Sequence, residues 1–496
     1  GNRIISITLD DGTEIVKNGV VAEDAPTVTM ATADFTARGG DQYPFDDRND
    51  LTLLGVSYQA ALANYLQAPT ADGGLAGTIT AAQYPEGGEG RISLVSTVPN
   101  FSLTLLHNND GESQLISLGD ADFGGVARFK TLVDSVRARN AANGRGVMLL
   151  SSGDNFLAGP EFTAGQNDGV LYDALALKAL EYDALALGNH DFDFGPEFAA
   201  EFVSAMDNAP FLSANLDFSG VPDLKALVDS GRIAEKAIIE VNGEQIGVVG
   251  ATTENLSFIS SPGNTIINDV ESNVQAAIDE LETAGVNKII LISHLQGIQE
   301  DSLLATQLTG IDVVIAGGGD ELLANDGDLL IPGDEDEVYG SYPIFTQNED
   351  GAQVPIVTTR GNYAYLGELM LEFDANGDLV SVGSESGPIR VAGGSNPDSV
   401  ASNSDLQSTV VDPLISALAS LEANVIANTE VGLDAIRNNI RARETNQGNL
   451  IADAFLWQAN QLAADFGADA ADIAVANGGG IRNDNVIGPG DLTELD

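Results

Sequence analysis

Short apolar runs recur through the middle of the chain and alternate with longer amphipathic stretches. The apolar runs lie at 103–106, 147–150, 184–187, 289–292 and 313–316. Short runs rich in apolar and β-branched residues are typical of strands that are buried on both faces, whereas 126–139 and 274–284 repeat apolar residues at helical spacing. Strands and helices that alternate in this way predict an α/β domain in which helices cover a buried sheet.

The two ends of the chain show different patterns. Near the start, we expect strands at 4–9 and 27–31 and a helix at 58–66.

A stretch rich in Gly, Ser and Asn at 392–404 predicts a linker in the later part of the chain. A long amphipathic helix is expected directly after it, at 405–427, followed by a helix at 449–466 and a strand at 473–476. The boundaries that we expect divide the chain into 1–97, 98–392, 393–428 and 429–496.

The charge balance narrows the classes of function. Acidic residues outnumber basic ones 74 to 21, which gives a formal net charge of −53. A surface this negative repels nucleic acid polymers and anionic membranes, and it attracts divalent cations. It also suits a saline medium, where counterions screen the repulsion between carboxylates.

No run of about 18 apolar residues is present, so no membrane span is predicted. Cysteine is absent, which excludes disulfides and thiolate metal sites. With the acidity, it favours a secreted bacterial protein, extracellular or at the cell surface.

Polar side chains cluster just after the predicted strands. The clusters are 109–112, 153–155, 188–193 and 317–320, and the three histidines, His107, His190 and His294, also lie at strand ends. Any one cluster could be a capped turn, because Asp and Asn favour turns. Ligands of open α/β sheets bind at the carboxyl ends of strands, so these segments together predict a metal site at one sheet edge. A two-metal hydrolase needs a bridging carboxylate and further ligands for each ion.

Several of these blocks resemble the calcineurin-like metallophosphoesterases, and among them the 5′-nucleotidase/UDP-sugar hydrolase branch. The blocks are 105–110, 153–156, 182–195 and 293–295. Segments 443–454 and 477–482 resemble the start of the C-terminal substrate-binding domain of that branch. The resemblance implies a metallophosphoesterase β-sandwich flanked by helices at 98–392, and a split α/β substrate-binding domain whose opening half is 429–496.

The resemblance also implies metal ligands. They would be Asp110, Glu112, Asp154, Asn189 and His294, and this sequence offers Asp320 as a further ligand. Asp154 would bridge two divalent ions. One ion would also be bound by Asp110 and Glu112, and the other by Asn189 and His294.

Two positions depart from the family pattern. Glu112 stands where the family usually has His, and Gly318 stands where another imidazole is usual. The site therefore loses imidazoles and gains oxygen ligands such as Asp320, which favours Ca²⁺, Mg²⁺ or Mn²⁺ over Zn²⁺. A degenerate, inactive site is the alternative.

Catalytic and substrate-binding roles follow from the same resemblance. His190, oriented by Asp193, would stabilise the charge of the phosphate or protonate the leaving group. Phe35 would stack on a nucleobase and Asp41 would contact the ribose. The other substrate-binding residues would be Asn155, Arg443, Asn477 and Arg482.

The order of the segments is unusual. Residues 1–97 resemble the closing half of the substrate-binding domain, which in the family follows the segment 477–482. Either a window from a tandem array of nucleotidase units or a circular permutation explains this order. The array is favoured because the stretch that should join the two halves is missing. Both halves would expose strand edges, so 1–97 is expected to pack against 405–496 of the same or a neighbouring chain.

Together these features predict an extracellular 5′-nucleotidase-like enzyme that releases phosphate from nucleotides or related phosphoesters. A broad alkaline phosphatase or a cyclic-nucleotide phosphodiesterase would share the same site. The alternative from another class is a structural surface or filament protein, built of repeated nucleotidase-like units with a weak or inactive site.

Overall fold

The computed structural model describes residues 7–9, 12–17, 20–22, 25–32, 52–80, 84, 100–118 and 122–496. The chain forms two compact units, Gly1–Ser96 and Thr97–Asp496.

The described part of the first unit contains a small antiparallel sheet and an α-helix. The strands, paired in chain order, are β1 (Ile7–Thr8), β2 (Glu14–Lys17) and β3 (Val20–Val21). The predicted helix is confirmed as Tyr58–Gln67, and the Ser57 hydroxyl caps it by accepting from the Ala60 N–H at 3.2 Å. A short 3₁₀ helix, Thr70–Asp72, follows.

The second unit contains two large sheets and several small ones. Its strands up to residue 400 are β4 (Phe101–Asn108), β5 (Gly146–Ser151), β6 (Ala184–Ala186), β7 (Phe211–Leu212), β8 (Leu216–Asp217), β9 (Ile233–Ala234), β10 (Lys236–Val241), β11 (Glu244–Thr252), β12 (Ile266–Ile267), β13 (Ile289–His294), β14 (Val313–Gly317), β15 (Leu322–Leu323), β16 (Val338–Gly340), β17 (Ile344–Gln347), β18 (Gln353–Val357), β19 (Tyr365–Phe373), β20 (Leu379–Val382) and β21 (Gly387–Arg390). One large sheet has the order β20-β19-β4-β5-β6-β7-β9, with β21 also paired to β19, and the other has the order β10-β11-β13-β14-β18-β17.

Helices surround these sheets. They are Val126–Ala142, Pro160–Asp168, Tyr172–Leu180, Gly195–Ala205, Pro222–Asp229, Leu256–Ile259, Val270–Thr283 and Ile298–Gln307.

The two large sheets share one core. Leu105 on β4 is fully buried in the same cluster as Val248 on β11 and Ile292 on β13. Successive side chains of a strand point to opposite faces, so Leu106 enters the second core, beside Phe129 of the helix Val126–Ala142. This arrangement confirms the predicted α/β architecture, a β-sandwich flanked by helices.

After residue 400 the chain forms helices and two short antiparallel strand pairs. The helices are Ser404–Leu406, Asp412–Ala423, Arg437–Ala442 and Asn446–Leu462, with a π-helical segment, Gln407–Val411, between the first two. The strands are β22 (Val425–Thr429), β23 (Leu433–Asp434), β24 (Val486–Ile487) and β25 (Gly490–Thr493). β22 pairs with β25 and β23 pairs with β24.

Three local predictions are wrong. The helix expected at 405–427 ends at Ala423, and the β-branched residues Val425 and Ile426 enter β22 instead. The strands expected at 27–31 and 473–476 are not formed. A β-rich composition produces a strand only where a neighbouring strand pairs with it, and neither segment has such a partner among the described residues.

Where the structure describes the chain, its helices are too short or too polar to cross a membrane.

Candidate metal centre

Loops at the carboxyl ends of four strands carry the central residues of the site. Asp110 follows β4, Asp154 follows β5, Asn189 follows β6 and His294 ends β13. The pairs β4–β5 and β5–β6 are parallel, so their carboxyl ends lie at the same edge of one sheet. β13 belongs to the other sheet. The site therefore lies where the edges of the two sheets meet.

Two groups of potential ligands share one carboxylate. Ligand atoms of Asp110, Asp154 and His294 lie within 4.8 Å of one another, and so do those of Glu112, Asp154 and His190. Asp154 is common to both groups, which is the position of a residue that bridges two ions.

His294 has a fixed orientation. Its Nδ1–H donates to the carbonyl oxygen of Ser152 at 2.7 Å. This leaves Nε2 facing the site, 3.1 Å from Asp154 Oδ2 and 3.0 Å from Asn189 Oδ1. A second hydrogen bond of this kind is typical of metal-binding histidines, because it selects the tautomer and aims the ring.

Burial and crowding shift the pKa values of these groups. Burial raises the pKa of Asp110 to about 6, and burial with the nearby Asp110 and Asp154 raises the pKa of Glu112 to about 8. Burial alone would lower the pKa of His294, but Asp154 raises it to about 10. A divalent cation would offset this concentration of negative charge. The carboxylate, amide and imidazole donors therefore fit divalent ions.

The backbone of the ligand loops is strained. Asp110, Glu112, Asp154 and Asp320 have φ values of 50°, 47°, 49° and 58°. Residues other than glycine rarely adopt this left-handed conformation, which costs about 1–3 kcal/mol and concentrates at functional sites.

His190 is held beside the metal ligands by Asp193. The His190 Nδ1 lies 2.6 Å from Asp193 Oδ2, and Asp193 Oδ1 accepts from the Ser260 hydroxyl at 2.9 Å. The other ring nitrogen, Nε2, lies 3.9 Å from Asp154 Oδ2. Burial opposes the charged form, but Asp193 and Asp154 together raise the pKa of His190 above its usual value. The imidazole is therefore positioned to carry a proton at the site.

Asp320 and Asn155, two of the predicted site residues, belong to neither group of ligand atoms. Asp320 is exposed and belongs to neither ligand group, although its charge contributes to the raised pKa of Asp110. The amide nitrogen of Asn155 donates to Asp191 Oδ2 at 3.0 Å and to the Ala186 carbonyl at 3.2 Å. The side chain of Asn155 is thus engaged in buried hydrogen bonds within the protein.

The structure adds residues that sequence reasoning missed. Asp191 accepts from the Gly188 N–H at 2.7 Å and so shapes the loop that carries Asn189. Gln296 Nε2 lies 2.5 Å from Asn189 Oδ1. Asp191 and Gln296 lie within two residues of predicted ligands in the sequence, so their positions indicate a place at the site. Ser260 comes from a distant loop, and the sequence gives no such signal for it.

His107, the third histidine, belongs to the core. Its ring stacks on Tyr342 at 6.0 Å between centroids, and Nε2 lies 2.8 Å from the Tyr342 hydroxyl. Burial lowers the pKa of His107 to about 3, so it is neutral.

The predicted substrate residues are dispersed along the chain. Phe35 and Asp41 lie outside the described residues. The Arg443 Nη2 lies 3.5 Å from Asp434 Oδ2. The Asn477 side chain accepts a hydrogen bond from the Gly479 N–H at 3.1 Å.

Arg482 lies in a basic cluster that the sequence did not predict. Burial lowers the pKa of Arg441, and the charges of Arg437 and Arg482 lower it further. The charges of Arg437 and Arg482 thus act on Arg441, and the carboxylate of Asp484 acts in the opposite sense.

The packed sheets and the ligand loops define a calcineurin-like metallophosphoesterase. The family model described as 5′-nucleotidase, C-terminal domain, matches residues 425–496. The 5′-nucleotidase of Bos taurus is 32% identical over 393 residues, which cover 77% of this chain and 64% of the relative. The snake venom 5′-nucleotidase of Naja atra is 32% identical over 401 residues, which cover 77% of this chain and 70% of the relative.

A solved structure agrees with these relatives. The crystal structure of the 5′-nucleotidase precursor from Thermus thermophilus matches with a TM-score of 0.63 and 33% identity, covering 79% of this chain and 72% of that chain. The chain belongs to the 5′-nucleotidase family, which confirms the predicted resemblance. It spans 64% of the length of its Bos taurus relative.

Proposed function

We propose that this chain is a metal-dependent phosphohydrolase that releases phosphate from nucleotides or related phosphoesters. The observation that carries the proposal is the sharing of Asp154 by two groups of ligand atoms, each within 4.8 Å. Membership of the 5′-nucleotidase family supports the same reaction class.

The family resemblance suggests how two divalent ions would be held, whereas the structure groups Asp110 with His294 and Glu112 with His190 around the shared Asp154. Asp110 and Glu112 would bind one ion, Asn189 and His294 the other, and Asp154 both; Asp320 would contribute an outer oxygen. Bound ions would polarise the phosphate and activate water. The donor set is mainly oxygen, with Glu112 in place of an imidazole, so we expect Ca²⁺, Mg²⁺ or Mn²⁺ in preference to Zn²⁺.

His190 and Asp193 would provide the acid catalysis. Asp193 fixes the ring through Nδ1 at 2.6 Å, which leaves Nε2 to hold a proton towards the substrate. Burial lowers the pKa of His190, but the hydrogen bond to Asp193 raises it and so favours the protonated ring.

Substrate recognition would come from the C-terminal region and from the first 97 residues. Arg443, Asn477 and Arg482 would hold polar groups of the nucleotide, and the basic cluster around Arg482 supports an anionic ligand there. Phe35 and Asp41 remain expected contacts of the base and ribose. Asn155, with its buried hydrogen bonds, would act by shaping the site.

The domain organisation is part of the proposal. Residues 1–97 would be the closing half of a substrate-binding domain, 98–392 the catalytic domain, 393–428 a linker and long helix, and 429–496 the opening half. A tandem array of such units, outside the cell in a saline medium, accounts for the order of the halves and for the net charge of −53.

Phosphate release from AMP tests the proposed activity. With added Mn²⁺ or Ca²⁺, we expect the protein to release phosphate, and Asp154→Asn to lose roughly 100-fold or more because both ions lose a ligand. His190→Ala should lose about 10²–10⁴-fold in kcat with metal binding intact. The exposed Asp223 offers a control, since Asp223→Asn should leave the rate unchanged. Tight binding of two ions without hydrolysis of AMP or other phosphomonoesters would instead favour the structural surface protein.

A further inference from the structure

The space above Gly318 is filled by another side chain. A Cβ added to Gly318 would lie 2.8 Å from His294 Nε2 and 2.9 Å from Gln296 Nε2. Both distances are shorter than the contacts that Cβ atoms make in proteins, so a side chain at this position would displace its neighbours. A side chain of residue 318 would therefore meet both the His294 ring and the amide of Gln296.

Gln296 also reaches the atoms that face the proposed ion. Its Nε2 lies 2.5 Å from Asn189 Oδ1, and that oxygen lies 3.0 Å from His294 Nε2. The terminal amide of Gln296 is thus in the same small volume as two expected ligands of one ion.

The backbone at Gln296 is strained in a way that serves this placement. Its φ is 84°, a value that residues with a side chain rarely adopt. Such strain persists where the surrounding structure fixes it, and it concentrates at ligand sites. The side chain is half-buried, and its described hydrogen bond is the one to Asn189.

We propose that Gln296 is a metal ligand, which supplies its amide oxygen to the ion held by Asn189 and His294. The oxygen and nitrogen of a terminal amide exchange places by a half-turn of the group, so Oε1 can occupy the present position of Nε2. A neutral oxygen ligand there replaces the side chain that Gly318 lacks. It also strengthens the preference for hard divalent ions.

The inference rests on the proposed two-metal function, and binding measurements separate the two. Calorimetric titration of the metal-free protein with Mn²⁺ should show two sites. Gln296→Gly removes the side chain and accommodates the positive φ, so the fold should persist while one of the two sites weakens by at least about 10-fold. Gln299→Ala is the matched control, because Gln299 is exposed and bonds to the Tyr339 hydroxyl at 2.7 Å.

Gln296→Glu separates a ligand from a positioning residue. A carboxylate can bind the ion but cannot donate a hydrogen bond to Asn189, so a ligand role predicts that Mn²⁺ affinity is kept or increased. Equal loss of affinity in Gln296→Glu and Gln296→Gly would overturn the inference, and so would wild-type affinity in Gln296→Gly. A wild-type protein that binds no Mn²⁺ would overturn both the inference and the proposed function. If the wild type binds Mn²⁺ at two sites and Gln296→Gly binds it with the same affinities, the inference is overturned and the proposed function stands.

The electron paramagnetic resonance of bound Mn²⁺ gives a second readout. The spectrum of the loaded protein should change in Gln296→Gly, because the ion loses a ligand, and should not change in Gln299→Ala. Identical spectra for all three proteins would contradict the assignment.

Discussion

Asp110 and Glu112 carry their carboxyl groups in surroundings that oppose ionisation. Burial is the main cause for both, and neighbouring carboxylates add to it. Asp154 differs, because His294 at 3.1 Å lowers its pKa in spite of burial. At the scale of single residues, the site thus combines one carboxylate that is readily charged with two that a cation would help to charge.

Metal affinity should therefore rise with pH. As proposed ligands, Asp110 and Glu112 would bind a cation in their ionised forms, and their protons leave as the pH passes about 6 and about 8. Calorimetric titration with Mn²⁺ from about pH 5 to about pH 9 should show affinity increasing through this window, by up to about tenfold per pH unit for each proton displaced.

Glu112→Gln provides the control for this pH dependence. It removes the carboxyl group with the higher pKa, so the rise above pH 7 should become less steep but persist, because His294, with a pKa of about 10, still releases a proton, and the rise near pH 6 should remain. An affinity that does not vary with pH in the unaltered protein would show that these carboxyl groups do not bind the ion.

At the scale of elements, the site depends on how closely the ligand loops approach one another. Gly153 precedes Asp154 and has a φ of 100°. A Cβ at this position would lie 2.8 Å from the backbone nitrogen of Gly188 and 2.8 Å from His294 Nδ1. The loops after β5 and β6 and the end of β13 therefore meet across this glycine.

Gly153→Ala should separate these loops. The strained φ costs about 1–3 kcal/mol of unfolding free energy, and the clash with Gly188 and His294 adds to it and weakens metal binding. Gly144→Ala is the matched control, since Gly144 has a φ of 73° with nothing within 4 Å of its Cβ. Urea unfolding and Mn²⁺ titration of both variants give the comparison. Equal losses in the two would mean that close approach of the loops is unimportant.

The strands and the edge that carries the site could be predicted from local patterns. The apolar run 103–106 lies within β4 and the run 289–292 lies within β13, and the polar residues after them reach the site. What could not be predicted depends on contacts between distant segments. The bond of His294 to the Ser152 carbonyl spans 142 residues. The segment 473–476 has strand composition, but a strand needs a neighbour that composition does not reveal.

At the scale of the whole molecule, apolar side chains are exposed in the region that matches the 5′-nucleotidase C-terminal domain. On the helix Asn446–Leu462, Phe455 and Trp457 are 55% and 63% exposed, and beyond it Ile473 and Val475 are 79% and 86% exposed. Large apolar side chains exposed in this region, in a chain of net charge −53, are typical of a surface that contacts a partner. The proposed closing half in 1–97, from the same or a neighbouring chain, is the occupant that the family resemblance supplies.

The tryptophan of this surface reports whether it is covered, because Trp457 is the single tryptophan of the chain. If the closing half packs there, Trp457 should emit at shorter wavelength than a solvated indole and should resist quenching by acrylamide. Ile473→Asp and Val475→Asp should reverse both effects by placing charge in the contact. Val228→Asp, at a residue 41% exposed on the helix Pro222–Asp229, should not.

Dilution distinguishes the two possible partners. If Trp457 loses its protection from acrylamide on dilution, the partner is a neighbouring chain, and if it stays protected at every concentration, the partner is the same chain. A solvated, freely quenched Trp457 under all conditions would contradict the packing of 1–97 on this surface, because the indole cannot be both desolvated by a partner and open to the quencher.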